Sequence, residues 1–189
     1  AIALSLSHPF GAGTSYFRLG VKEPKEVDTV FGGCYKKEVF EKFGFFNENL
    51  IRSQDLEFNL RLKRAGGKIL LVPDIVAYYY PSSNLSDFLK HNFNDGFWVI
   101  YPLKFGVEAF GLRHLLPLIF IIVISIALIL SLFLFFARPL FVLAFGSYFL
   151  LNLFFSFKIA LEEGFKYLFV MPVVFIYRHF GYGLGSLWG

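Results

Sequence analysis

The sequence predicts an α/β region followed by an all-α membrane region. The boundary between the two is predicted from the charged residues, which are very unevenly distributed. Residues 1–114 carry 14 Lys and Arg and 12 Asp and Glu, whereas residues 115–189 carry 4 and 2. The 189-residue chain is 56% hydrophobic and 17% charged, against about 45–50% and about 25% in soluble domains. With one cysteine, this composition excludes a purely soluble protein, a disordered chain and a disulfide scaffold. A net charge of +4 is too small to indicate a nucleic-acid partner.

The first region is predicted to combine short strands with two helices. Gly44 ends the first helix, and Ser53 is the candidate N-cap of the second, which Gly66 and Gly67 close. Prolines end the last two strands. The predicted order is a strand at residues 27–31, helices at 36–43 and 54–65, and strands at 68–72 and 76–80.

The segment that joins the two regions is predicted to be an amphipathic helix. Apolar residues recur at helical spacing from residue 85 to residue 101, and the aromatic ones lie on one face. Such a face suits a helix at the level of the lipid headgroups. We therefore divide the chain into an α/β part (1–84), an interfacial helix with a juxtamembrane linker (85–114) and a membrane region (115–189).

Two transmembrane helices are predicted, at about residues 115–136 and 139–157. The first stretch has 22 uncharged residues and the second 19, and about 20 span a bilayer. The connection is so short that both outer ends return to the same side. Basic residues concentrate at those ends and Arg138 alone marks the far side, which places the ends and residues 1–114 in the cytoplasm. We expect a multi-pass protein of the plasma membrane.

The last stretch, at about residues 165–188, allows two interpretations. Its apolar run is short, Pro172 interrupts it, and Arg178 and His179 follow. It is either a re-entrant segment or a tilted third membrane helix, and the pattern slightly favours a third membrane segment.

The candidate catalytic group is Asp55, in the first turn of the second predicted helix. Acidic residues there commonly satisfy free backbone N–H groups and the helix dipole, and this structural explanation is the commoner one on pattern alone. The functional alternative is that Asp55 takes a proton from an acceptor hydroxyl, which requires a carboxylate within hydrogen-bond reach. Glu57, two residues further on, points elsewhere and is interpreted as a structural or orienting group.

Several runs together favour the functional alternative, because in this order they resemble the acceptor half of a family-2 glycosyltransferase of GT-A fold. The resemblance covers nearly the whole chain and is greatest to the succinoglycan-type exopolysaccharide enzymes, whose base motif is Gln-Asp-x-Glu. The runs are residues 27–40, 43–48, 52–62, 66–69, 73–74 and 79–81, then Phe93, Gly96 and Trp98, Arg113, His114 and Pro117, and finally His179, Gly181, Gly183, Gly185 and Trp188.

The resemblance implies the chemistry and the site. It implies inverting transfer of a sugar, of the hexosyltransferase type, from a nucleotide-sugar donor to a polyprenyl-diphosphate-linked acceptor held by membrane lipids. Asp55 matches the general base. Gly32 and Gly33 match the stretch that lines the cleft, where missing side chains let a sugar approach the backbone. Gln54, Glu57 and Trp98 complete the substrate-binding candidates; for Trp98, an interfacial anchor competes with stacking on a sugar.

The resemblance also implies a divalent cation, Mg or Mn, bound by an Asp-x-Asp motif in a donor-binding half. No Asp-x-Asp occurs in this sequence. Residue 1 is Ala, and residues 1–6 lack the basic start of a signal peptide. We therefore expect roughly another 100–150 residues upstream, in keeping with a full-sized α/β domain, and expect this segment alone to be inactive.

Two alternatives remain at this point. A processive polysaccharide synthase would also conduct its polymer outward, although two or three membrane helices argue against a self-contained channel. Processive synthases also carry a Gln-x-x-Arg-Trp-like element before their membrane helices, and its Arg is absent here, where Asn94 and Asp95 occupy that region. A non-catalytic membrane adaptor descended from a transferase would lack the Asp-x-Asp motif throughout.

Overall fold

The fold is mostly helical, and the computed structural model describes residues 1–108 and 110–189. Short helices and two strands come first, and the long helices follow. In chain order the elements are α1 (Ile2–Ser7), α2 (Pro9–Ala12), α3 (Tyr16–Leu19), β1 (Lys25–Val27), α4 (Lys37–Phe43), α5 (Gln54–Arg64), β2 (Ile69–Leu71), α6 (Leu85–Ile100), α7 (Leu116–Phe133), α8 (Arg138–Glu163) and α9 (Tyr167–Trp188).

The sheet is smaller than the sequence predicts. Strands β1 and β2 pair antiparallel, with Lys25 opposite Leu71 and Val27 opposite Ile69. The strand predicted at residues 27–31 lies two to four residues earlier, and the strand predicted at 76–80 is wrong. That segment is largely exposed and has no strand partner in the described part of the chain. Because a strand needs a hydrogen-bonded neighbour, the mixed sheet that the resemblance to a GT-A fold implies reduces here to a two-stranded antiparallel ribbon.

Helices α4 and α5 confirm their predictions and cover the ribbon. Val27, Leu62 and Ile69 form a buried cluster against which Val39 and Phe43 pack. Helix α5 ends as predicted, because Gly66 adopts φ 82° and its N–H bonds the Lys63 carbonyl. At the other end Ser53 does occupy the N-cap position, but its φ is 61° and its side chain makes no capping hydrogen bond.

Three helical segments are long and apolar enough to cross a membrane: Leu112–Phe133, Phe135–Glu163 and Tyr167–Trp188. The first two form a hairpin around a short 3-10 turn, Phe135–Ala137. Many large apolar side chains along it are exposed, as expected for contact with lipid. The third segment is one continuous helix despite Pro172, so the chain does not turn back between Tyr167 and Trp188.

Helices α6 and α9 run parallel and in close contact. The contacts advance in step along both helices, with Gly181 against Leu89, Gly185 against Phe93 and Gly189 against Phe97. A Cβ added at Gly185 would lie 2.0 Å from the carbonyl oxygen of Phe93, so this packing requires glycine. Helix α6 therefore has the same tilt as α9. It lies in the plane of the headgroups, as predicted, only where α9 lies in that plane as well.

The first residues of the chain also pack on the long helices. Ile2 and Leu6 of α1 meet Phe88 of α6 and Val174 of α9. Phe10 of α2 packs near Phe175. The sequence assigns these residues to the α/β part, whereas their apolar side chains lie against the helical bundle.

Candidate active site at the start of α5

The Asp55 carboxyl group lies exposed at the first turn of α5. The backbone N–H of Leu56 donates a hydrogen bond of 2.8 Å to its Oδ1. Gln54 beside it is also exposed. The carboxylate is therefore open to an incoming hydroxyl group, which is the first requirement for a general base.

Next to Asp55, a series of hydrogen bonds joins α5 to the segment that follows β1, and it is buried at Asn59 and Thr29. The Tyr35 hydroxyl donates to Oδ1 of Asn59 at 2.7 Å, and Nδ2 of Asn59 donates to Oγ1 of Thr29 at 2.9 Å. Burial, and then the negative charge of Asp55, raise the pKa of Tyr35 above its ordinary value, so the phenol stays protonated as a donor. Sequence reasoning missed these three residues, since their contact depends on tertiary folding.

The Gly32-Gly33 loop lies beside the same tyrosine. Gly32 has φ 62°, a conformation that favours glycine. A Cβ added at Gly33 would lie 2.7 Å from the Tyr35 hydroxyl oxygen. Gly33 thus lets the tyrosine approach the loop, whereas Gly32 allows the turn of the backbone. The predicted contact of the two glycines with a sugar stays a prediction.

Glu57 is directed away from the exposed carboxylate. It is 6% exposed, and its Oε1 lies 2.8 Å from Nε of Arg61. Arg61 also donates hydrogen bonds to the carbonyl oxygens of Phe43 and Phe45. These contacts favour the orienting role for Glu57, because it fixes the loop that leads into α5.

Arg52 connects the approach to α5 with α6. Its Nε lies 2.9 Å from Oδ1 of Asp95, and its Nη2 lies 2.9 Å from Nδ1 of His91. Burial lowers the pKa of His91; the charge of Asp95 raises it, and those of Arg52, Arg178 and Arg18 lower it. The neutral imidazole can therefore accept the hydrogen bond from Arg52.

Trp98 lies about one turn after Asp95 in α6. Its ring packs edge-to-face against Phe97 and Tyr101 of the same chain segment. These contacts suit an aromatic anchor, and stacking of Trp98 on a sugar stays a prediction.

The described residues do not fit a divalent cation. They contain no group of three or more His, Cys, Asp and Glu side chains placed to hold one. The cation that the resemblance implies stays a prediction, and no step is derived through it.

Three cavities lie elsewhere in the described structure. One, of about 290 Å³, lies between α1, α3 and the segment that follows β2. A second, of about 350 Å³, lies between residues 10–15 and the long helices, and a third, of about 440 Å³, is an open groove on α6. Asp55 lines none of the three and is exposed, so it faces open surface where the sequence predicts a cleft.

The chain is similar to a lipid-linked sugar transferase of Methanococcus voltae. That protein is named dolichyl N-acetyl-alpha-D-glucosaminyl phosphate 3-beta-D-2,3-diacetamido-2,3-dideoxy-beta-D-glucuronosyltransferase. The two are 35% identical over 91 residues, which cover 48% of this chain and 28% of the relative. No protein family matches the chain, and no solved structure does. The similarity supports a glycosyltransferase, and the three apolar helices suggest a membrane protein.

Proposed function

We propose that this chain is the acceptor-side part of a membrane-bound inverting glycosyltransferase of GT-A type. The enzyme moves a sugar from a nucleotide-sugar donor to a lipid-linked saccharide in exopolysaccharide or other cell-surface glycan synthesis. The observation that carries the proposal is the exposed Asp55 carboxylate, held at a helix start that is tied to the apolar helices. The similarity to a transferase named for a dolichyl-phosphate-linked sugar supports it.

In the proposed reaction Asp55 acts as general base. The acceptor hydroxyl oxygen attacks the anomeric carbon of the donor sugar as the bond to the nucleotide diphosphate breaks. The hydroxyl proton passes to the carboxylate, and the bonding pair leaves with the diphosphate. Attack from the face opposite the leaving group inverts the anomeric centre, and the transition state resembles an oxocarbenium ion.

The donor and its cation are proposed to bind to a second half of the enzyme, which would form the opposite wall of the cleft. This arrangement accounts for the open surface around Asp55 and for the lack of a metal-fitting cluster among the described residues. It is also consistent with a relative of which the match covers 28%.

A lipid-linked acceptor explains why such a site would be joined to membrane helices. An isoprenoid carrier cannot leave the bilayer, so the base must lie at the height of the headgroups. Fixing that height replaces a three-dimensional search by proximity. We place the site on the cytoplasmic side of the plasma membrane, where nucleotide sugars are made.

The experiment is Asp55→Asn in the full-length enzyme, with release of nucleotide diphosphate as the readout. General-base catalysis typically contributes about 10²–10⁴-fold, so turnover should fall by about that factor. Asp87→Asn is the matched control, because Asp87 is also an exposed acid in the first turn of a helix and lies outside the resembling runs, and it should leave turnover unchanged. Near-normal turnover in Asp55→Asn would show that Asp55 is not the general base. An inactive wild-type enzyme would favour the alternative of a non-catalytic membrane adaptor.

A further inference from the structure

We infer that the cavity between residues 10–15 and the long helices binds the phosphate headgroup of an isoprenyl lipid. The identity of the lipid as the sugar acceptor rests on the proposed function. The cavity has a volume of about 350 Å³, within the range of roughly 300–1,000 Å³ that is usual for ligand pockets.

The walls of this cavity are mostly apolar. Phe10 closes one side, Leu116, Pro117 and Phe120 from the start of α7 form another, and Tyr148 of α8 lies opposite. Such a lining suits the first isoprene units of a lipid chain better than it suits a free anion, which would leave the apolar surface wet.

Arg178 supplies the charge that is available to a ligand. Arg113 also lines the cavity, but its Nη2 lies 3.0 Å from Oδ2 of Asp28, which pairs its charge. Within the described residues no Asp or Glu lines the cavity. Arginine presents a planar set of donors that matches phosphate oxygens. The cavity therefore combines an apolar wall with a phosphate-binding end.

Arg178 retains capacity for a ligand. Its Nε donates to the carbonyl oxygen of Gly11 at 3.0 Å, and its Nη1 donates to Oδ1 of Asn92. In the part of the chain that the structure describes, its Nη2 donates no hydrogen bond. The nearest carboxylate, on Asp95, lies 4.0 Å away and is shared with Arg52, so one negative charge faces two positive ones.

Tyr182 adds a second donor in the same cavity. Its ring lies 5.9 Å from the Arg178 guanidinium carbon. Its hydroxyl makes no hydrogen bond to any described residue, and its oxygen is not fully buried. The hydroxyl is thus accessible and can donate to a phosphate oxygen.

The position of the cavity indicates a membrane lipid. It opens at the first residues of α7, one end of a segment long and apolar enough to cross a bilayer. Headgroups lie at that depth, and basic pockets between membrane helices are known to bind them.

The test is equilibrium binding of radiolabelled geranylgeranyl phosphate to the full-length enzyme in detergent micelles. Loss of a charge-assisted contact predicts that Arg178→Gln binds about 10–10²-fold more weakly. Arg138→Gln removes the same charge at the first residue of α8, at the far end of the helical hairpin, and should bind like wild type. Tyr182→Phe, which keeps the ring, should bind about 2–10-fold more weakly. If Arg178→Gln fails to fold in a thermal melt, Tyr182→Phe decides.

Competitors identify the ligand. Geranylgeraniol, which lacks the phosphate, should displace the probe at least about 10-fold less well. Displacement by equimolar inorganic phosphate would show a free-anion site, and displacement by equimolar phosphatidylglycerol would show a general phospholipid site. Either result overturns the inference. Wild-type affinity in both Arg178→Gln and Tyr182→Phe overturns it as well. Asp55→Asn should bind normally. In the wild-type full-length enzyme, intact lipid binding without sugar transfer would contradict the proposed function alone.

Discussion

The Arg52 guanidinium lies 2.9 Å from the Asp95 carboxylate and thereby joins the loop before α5 to α6. Arg52 precedes Asp55 by three residues. Since α6 packs along α9 through its glycines, this ion pair is a direct link between the candidate base and the apolar helices. Both side chains are partly buried, which shields the pair from solvent.

The first prediction concerns this link. Asp95→Asn keeps the shape of the side chain and removes its charge, so the Arg52 loop should shift relative to α6. A displacement of about 1 Å at a reacting group can cost about 10²-fold in rate. We expect turnover of the full-length enzyme to fall about 10–10²-fold while the KM for the nucleotide sugar changes little.

Asp87→Asn is the control, because Asp87 lies exposed in the first turn of the same helix. Asp95→Glu restores the charge and should recover part of the activity. If Asp95→Asn and Asp87→Asn have the same turnover, the link does not position the base.

His91 predicts a dependence of stability on pH. Burial lowers its pKa below the ordinary value of 6.5, so folding favours the neutral ring. Its contribution to stability is therefore fully present above about pH 6.5 and is lost as the pH falls through the lower value of the folded state. Thermal unfolding in detergent should show a lower Tm at pH 5 than at pH 7.

His91→Gln should flatten this part of the pH profile, because glutamine does not titrate and can still accept from Arg52. His8→Gln is a useful comparison, since the pKa of His8 is also lowered by burial but it lies in the turn before α2, away from Arg52. An unchanged profile in His91→Gln would show that other groups cause the acid loss.

Gly185 predicts the cost of separating α6 from α9. A methyl group there would meet the Phe93 carbonyl oxygen at 2.0 Å, and helix backbones cannot yield as a flexible side chain does. Gly185→Ala should lower the free energy of unfolding by about 1–3 kcal/mol.

Gly146 provides the matched substitution in α8, because a Cβ there would have nothing within 4 Å. Gly146→Ala should be neutral or stabilising by up to about 1 kcal/mol. Denaturation of both variants in the same detergent measures the difference. Equal stabilities would mean that the helices do not touch as closely as described.

Glu57 predicts a stability effect rather than a binding effect. Its side chain is 8% exposed and holds Arg61, which in turn holds two loop carbonyl groups. Glu57→Ala should destabilise the protein by about 1–3 kcal/mol, as expected for loss of a charged hydrogen bond. Glu41→Ala removes an exposed partner of Lys37 and should change stability by less than about 0.5 kcal/mol.

Donor and acceptor KM values in the full-length enzyme separate the two roles of Glu57. A stable Glu57→Ala variant with a raised KM would show that the carboxylate contacts substrate after all.

Local rules predicted the helices well. The ends of α4 and α5 follow from glycines at φ 78° and 82°, because few other residues adopt that conformation at low cost. The strand at residues 76–80 failed because strand pairing depends on a neighbour that periodicity cannot supply. Asp55 could be proposed from its helix-start position, but Tyr35, Asn59 and Thr29 could not, since they lie 24 and 30 residues apart along the chain.

The sequence by itself determined where charge stops and lipid-compatible helices begin, because both depend on composition and on spacing along one segment. Only the tertiary structure decided that α6 lies against α9, that Arg52 binds Asp95 and that two arginines meet at one cavity. Those contacts join residues that are far apart along the chain, such as Phe93 with Gly185 and Arg52 with Asp95. Their geometry depends on which backbones can approach closely. Here α6 and α9 can do so because glycine has no side chain.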